Sequence, residues 1–283
     1  MESIMTSEKK SVKNNFFYSE AKYWVEQFGG PPFDFESAYE LPADIEDYYK
    51  QTLINAVSII IPIGERFFLS NIADYSNSLD LSDEQNEAAR IFMIQESAHS
   101  RHHLAYNRKL CEARGYNLDK LVFAVKFNLD EVHRHESVKY RLALTAASEH
   151  LTCVIAEMIL RSPEWLDTIS DSFKSLLRWH SIEEVDHRAY AYDLYFEHYP
   201  DVEYLHETMH DFGPRMLRFF EDIACKMVAL DGYNAKEFKQ WMFNSKFMTA
   251  PDGPLNYFIK AMQCFFDDGF HPEKYVSFDI IKN

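Results

Sequence analysis

Glu96-Ser97-Ala98-His99 and Glu184-Val185-Asp186-His187 are two copies of one short pattern, Glu-x-x-His, in a chain of 283 residues. Residues i and i+3 share a helix face, so on a helix each pair can present both side chains to one metal ion. The pattern alone is weak, because a helical chain with 12 histidines gives about one match by chance. Two more matches, Glu203-Tyr204-Leu205-His206 and Glu207-Thr208-Met209-His210, closely follow Pro200 and read as surface residues of a helix start. The first two differ in having partners upstream. Glu65 precedes Glu96, and Glu149 precedes Glu184, each by about one helical hairpin. With a turn near residues 79–82, Glu65 and Glu96 both stand about 20 Å from it, level in an antiparallel pair. A second turn near residues 162–167 places Glu149 and Glu184 at comparable heights. The stretch between Glu96 and Glu149 leaves room for a crossover.

This two-fold repeat predicts an all-α chain in a single domain: a ferritin-like four-helix bundle over residues 45–200. An N-terminal segment, 1–44, precedes it, and a C-terminal helical extension, 201–283, packs on it. Composition agrees, since only 8 glycines and 10 prolines are too few for repeated β-turns or glycine-rich phosphate loops. No GxxxxGK[ST] or GxGxxG is present. The first helix starts at Ile45 or at Ile63 and ends at Ser78, with Pro62 as a kink or a restart. Ser82 with Gln85 fits a capping box opening a second helix to about Ala113, and Gly115 is its stop. Residues 116–130 read as the longest connection. A third helix is expected from about Glu131 to Leu160, then Ser162-Pro163-Glu164 as a cap, then a fourth helix from about Ser170 to His198. Two or three further helices should follow, with breaks near Gly232, at 251–254 and at His271-Pro272. Residues 1–15 read as frayed and 29–34 as a turn.

The formal net charge is −16, from 29 Lys+Arg against 45 Asp+Glu. That excludes a basic face for nucleic acid or for an anionic membrane surface. The longest apolar stretch, Ala56 to Ile63, is too short to span a bilayer, so the chain is read as not membrane-spanning. The start, MESIMTSEKKSVKNN, lacks the apolar core of a secretory signal. Four scattered cysteines without a CxxC fit reduced thiols, and the expected compartment is the cytoplasm.

The glutamates sit among apolar neighbours. Glu65 lies within Ile60-Ile61-Pro62-Ile63-Gly64-Glu65-Arg66-Phe67-Phe68, and Glu96 follows Ile91, Phe92, Met93 and Ile94. Leu142, Leu144, Leu151 and Val154 surround Glu149. Four carboxylates converging in such a core would repel strongly, and two divalent cations would cancel them. Mixed carboxylate and imidazole donors suit iron or manganese, with zinc also allowed. His180, one turn before Glu184, is either a core histidine behind the ligands or a third imidazole on the metal pair. His103, one turn after His99, reads as a histidine that supports a ligand or lines the pocket. Glu183 faces away from Glu184 and can hydrogen-bond a ligand histidine on a neighbouring helix. His150, His133 and His135 read as structural or exposed. Phe67, Phe68, Phe92, Tyr190 and Tyr192 read as core, with one or two lining an apolar pocket.

Several segments in order carry a resemblance. They are Ile63-Gly64-Glu65-Arg66-Phe67-Phe68, residues 95–103 with Asn107, residues 147–152, residues 179–195 and Gly269-Phe270-His271-Pro272. Together they resemble a family called predicted metal-dependent hydrolases, grouped with ferritin-like proteins, over about residues 45–275. The spacing His180-x3-Glu184-x2-His187 is also similar to that of di-iron arylamine N-oxygenases, in which three histidines and four glutamates bind the iron pair. By matching position, this second resemblance implies the set Glu65, Glu96, His99, Glu149, His180, Glu184 and His187. The leading expectation is a di-iron oxidase or oxygenase: two Fe ions activate O2 to oxidise a small organic substrate, drawing on an electron donor, in a monomer or a homodimer. The alternatives are a two-metal hydrolase using a metal-bound hydroxide and a non-catalytic metal-storage protein.

Overall fold

A computed structural model describes residues 33, 35, 39–79 and 81–276. The described chain is all-α, and no strand occurs among the described residues. The turn expected at 29–34 and the frayed start fall almost wholly outside them.

Helix α1, Ile45–Ser78, is capped by the Asp44 carboxylate and runs unbroken through Pro62. Proline brings no amide hydrogen, so the carbonyl of Ser58, four residues earlier, has no partner within the helix. Asn107 Nδ2 donates to that carbonyl at 2.7 Å. An outside donor thus satisfies the interruption, and the helix needs no restart at Ile63. Helix α2, Asp83–Arg114, opens on the Ser82–Gln85 capping box and closes on Gly115 at φ 67°. These two helices form the first hairpin.

The expected connection at 116–130 is instead helix α3, Leu118–His135, with Asn117 as its cap. Its buried Leu121, Val122 and Val125 follow a helical stripe, and the element packs on α1. The third helix of the expected bundle therefore starts later, as α4, Val138–Arg161, capped by Ser137. A 3-10 turn, Pro163–Leu166, leads to α5, Asp171–His187, capped by Ser170, and α4 with α5 make the second hairpin. The expected helix to His198 is divided, with α6 at Tyr190–His198. Arg188 Nη1 donates to Val185 O at 2.5 Å, occupying the carbonyl that the Ala189 amide would take in a continuous helix.

The extension holds five helical segments rather than two or three: α7 Val202–Leu230, α8 Ala235–Asn244, α9 Lys246–Thr249, α10 Pro254–Cys264 and α11 Pro272–Tyr275. The additional break comes at Ser245, whose hydroxyl caps α9. Helix α7 packs across α1 and α4, and α10 lies on α4. One buried cluster ties the ends of this arrangement together. The Asp231 carboxylate, just after α7, accepts from Tyr48 Oη at 2.8 Å, Tyr116 Oη at 2.5 Å and Arg114 Nη1 at 3.3 Å.

Helices α1 and α4 are long and apolar enough to cross a membrane by length and composition, although no uninterrupted apolar run is. The most apolar windows are 56% and 83% buried inside the fold, as in core helices of soluble proteins. The four cysteines are free thiols.

Candidate metal centre

Glu65 comes from α1, Glu96 and His99 from α2, Glu149 from α4, and His180, Glu184 and His187 from α5. All seven are buried, none more than 6% exposed. Two overlapping groups have donor atoms within 4.8 Å of one another: Glu65, His99, His180 and Glu184; and Glu96, His99, Glu184 and His187. Six of the seven residues named from the sequence thus converge as possible ligands.

His99 Nε2 donates to Glu183 Oε2 at 2.8 Å, since a carboxylate oxygen can only accept. Its other nitrogen, Nδ1, faces inward, 3.6–3.7 Å from Glu65 Oε1, Glu96 Oε1 and Glu184 Oε1, and is the atom a metal ion would engage in place of a proton. His187 repeats the arrangement. Its Nδ1 donates to Glu149 Oε2 at 2.9 Å, and its Nε2 faces Glu96 Oε1 at 3.0 Å without the alignment of a hydrogen bond. Glu149 is absent from both donor groups and stands to His187 as Glu183 stands to His99. The hairpin symmetry that paired it with Glu65 does not extend to the side-chain geometry.

The orientation of His180 is set by a longer relay. Asn107 Nδ2 donates to the Ser58 carbonyl, which fixes the amide so that Oδ1 accepts from Ser58 Oγ at 2.8 Å. With its proton so committed, Ser58 Oγ accepts from His103 Nδ1 at 2.9 Å. His103 Nε2 must then accept, at 2.8 Å, from His180 Nδ1. His180 Nε2 faces the cluster, hydrogen-bonded to Glu184 Oε1 at 2.7 Å and 3.6 Å from Glu65 Oε1, and a metal ion would take the place of the proton it donates. The start of this relay is not legible as function in the sequence. There Asn107 only accompanies a segment that carries the resemblance, and Pro62 reads as a kink or a restart. The available signal is the Ser58 carbonyl that Pro62 leaves without a helical partner.

The inward atoms share one property. Both oxygens of Glu65 and of Glu96, Glu149 Oε1, Glu184 Oε2, His99 Nδ1 and His187 Nε2 are buried without a hydrogen-bond partner. A buried orphan of this kind costs about 1–3 kcal/mol, more when charged, so eight in one place call for a cation. Donors about 2.1 Å from one ion stand about 3.0–3.4 Å apart, close to the separations here. Charge points the same way. Burial, then the charges of Glu96, Glu184 and Glu149, push the Glu65 carboxyl well above the usual range. Burial and then Glu96 push Glu149 up to about 8. At Glu184 burial is outweighed by His180, His187 and His99, which hold it below the usual range. At His99 the Glu183 and Glu96 carboxylates overcome burial and raise the ring to about 9. The residues present fit two divalent ions of the kind carboxylate and imidazole donors hold.

An apolar cavity of about 90 Å³ adjoins the cluster, reaching Glu65, His180 and Glu184. Phe67 and Phe68 line it, while Tyr192 packs instead against Phe270 and His271. The two remaining Glu-x-x-His matches lie on α7, with Glu203, Glu207 and His210 exposed and His206 half-buried, away from the cluster. His150 is buried elsewhere, with its Nε2 donating to Ala261 O at 3.1 Å.

A protein family described as "predicted metal-dependent hydrolase" matches the chain over residues 32–275. The chain belongs to this family. Searches of curated proteins and of solved structures return no match. The family's metal dependence and the buried His/Glu cluster agree on a metal-binding site, and the family description points to an enzyme.

Proposed function

We propose that this chain is a dinuclear metalloenzyme that hydrolyses an organic substrate. Glu65, Glu96, Glu184, His99, His180 and His187 would hold the two ions. The observation carrying the metal centre is the set of unpartnered buried donor atoms; the family description supports hydrolysis. Bound metals supply Lewis acidity and an activated water. The chain's own residues do the rest. Glu183, His103 and Glu149 hold the outer nitrogens of three imidazoles and so keep the inner lone pairs aimed at the ions. Phe67 and Phe68 keep bulk water from the open side of the cluster.

A second reading, O2-dependent oxidation at a di-iron centre, is favoured by one observation. Ser148 and Thr152, hydroxyls that line the cavity, are committed to carbonyls of their own helix, Leu144 O and Glu149 O. With them so held, the cavity wall is apolar apart from Ser181 and the ligand side chains, and a carboxylate-rich donor set suits iron. This reading also requires an electron donor.

The deciding experiment is elemental analysis of protein purified under native conditions, then reloading with Zn(II), Mn(II) or Fe(II). Hydrolysis of esters or amides without oxygen supports the first reading. Activity confined to the Fe(II) form, with O2 consumed, replaces it with the second. Failure to bind about two ions per chain, or unchanged binding in Glu65→Ala and Glu184→Ala, would overturn both.

A further inference from the structure

The cavity beside the metal cluster has a neighbour. A second one, of about 90 Å³, is lined entirely by apolar side chains apart from Lys50. Val57, Ile155, Ile159, Leu177 and Phe220 line both, so the two cavities meet at these five side chains. Along α1 their wall is a single helical stripe, Lys50, Leu53, Ile54, Val57, Ile61 and Gly64. From Lys50 to Gly64 is fourteen residues, about 21 Å at 1.5 Å per residue. The outer end is no anion anchor, because Lys50 Nζ is already held by Asp47 at 3.3 Å and Glu46 at 3.7 Å. Its ammonium also lies over the Phe247 ring. Among the described residues, the other charged groups facing the two cavities are Glu65, His180 and Glu184 at the inner end.

We propose that the two cavities open into one passage past these five side chains, and that the substrate is a linear long-chain acyl compound whose reactive end lies at Glu65, His180 and Glu184 and whose hydrocarbon tail threads this neck toward Lys50. This rests on the metal-centre reading for the reactive end; the tail's path rests on the passage alone. A narrow passage of this length suits an unbranched chain. An extended chain rises about 1.25 Å per carbon given a bond of about 1.52 Å, so about 16 carbons fill it. Gly64 fits the assignment. It sits inside a helix, where glycine is disfavoured, and a Cβ there would meet only Phe68 Cζ at 3.9 Å. A larger side chain would grow into the inner chamber rather than clash.

The test is calorimetric binding of linear alkanoic acids of about 6 to 18 carbons to metal-loaded and metal-free protein, with metal content measured in parallel. Affinity should rise about fourfold per methylene and level off near 16 carbons. In Val57→Phe, which narrows the neck seven residues from Gly64, the plateau should fall to about eight carbons with metal content unchanged. Gly64→Leu should weaken every chain length. A flat ladder in the wild-type protein, or a rise unaltered by Val57→Phe, would overturn the assignment. If the ladder and its shift hold while no metal binds, the metalloenzyme reading falls and the passage stands. If two ions bind and the ladder is flat, the reverse is true.

Discussion

Glu183 is the side chain whose removal should report on the metal centre without touching a ligand. It accepts the proton of His99 Nε2 at 2.8 Å and so keeps Nδ1 facing the cluster. In Glu183→Ala the ring is free to turn or to change tautomer, and metal affinity should fall about 10–100-fold. Glu183→Gln keeps an oxygen acceptor and should lose less. Competition against a chelator of known affinity measures both, and an unchanged affinity in the alanine variant would contradict an inward-facing Nδ1 on His99. At this scale the sequence is informative where helix spacing governs. The three- and four-residue steps that join Glu96 to His99 and His180 to Glu184 and His187 are fixed within one helix, and Glu183 is expected to reach a histidine across the bundle. The position of Glu149 is not legible, because it depends on how α4 rotates against α5. A rotation that gives one carboxylate oxygen, Oε2, to His187 Nδ1 leaves no mark on the local sequence.

Among the elements, α1 shows how a backbone defect is used. Pro62→Ala would restore an amide hydrogen for the Ser58 carbonyl and compete with Asn107 Nδ2. The helix itself should be no weaker, since proline is the poorest residue in a helix interior. The relay through Ser58 and His103 to His180 would lose its anchor. The expected outcome is therefore an equal or higher unfolding temperature together with weaker metal binding, read by calorimetry and chelator competition on one sample. A variant that loses stability while binding metal normally would show that the relay does not depend on the proline. The element boundaries divide in the same way. Caps with a dedicated side chain, such as Ser82 with Gln85, or a left-handed glycine, such as Gly115, are readable. The division of the fourth helix is not, because no proline, glycine or capping side chain marks Arg188 and Ala189. Helix α3 escapes the sequence because only Leu121, Val122 and Val125 are buried along its eighteen residues, a stripe easily lost among polar neighbours.

For the molecule as a whole, the Asp231 cluster joins segments far apart in sequence: the start of α1, the turn after α2 and the end of α7. Removing a buried, hydrogen-bonded carboxylate leaves two phenols and Arg114 Nη1 without this acceptor, while the rest of the guanidinium stays held by Tyr39 O, Glu40 O and Gln51 Oε1, so Asp231→Ala should cost about 3 kcal/mol. Denaturant unfolding measures it, and a loss below about 1 kcal/mol would show that these contacts are dispensable. Metal content should survive the change, because the cluster touches no donor of the metal centre. The acidic balance of the chain also gains a finer meaning. Among the described residues most carboxylates are outside the core, but three of the buried ones belong to donor groups that two doubly charged ions would neutralise.

The overlap of the two donor groups has a consequence for how the centre fills. They share His99 and Glu184. A carboxylate has two oxygens and can serve both ions, but the inner nitrogen of a neutral imidazole carries one lone pair and can serve only one. Whichever position takes His99 leaves the other with one imidazole, so the two places are chemically unlike. Loading should therefore proceed in two distinguishable steps, with a half-filled form at about one equivalent. A titration with Mn(II) followed by electron paramagnetic resonance would resolve that form as a mononuclear signal that gives way to a coupled pair. Loading in a single step, with no mononuclear form, would mean that the two places are equivalent after all.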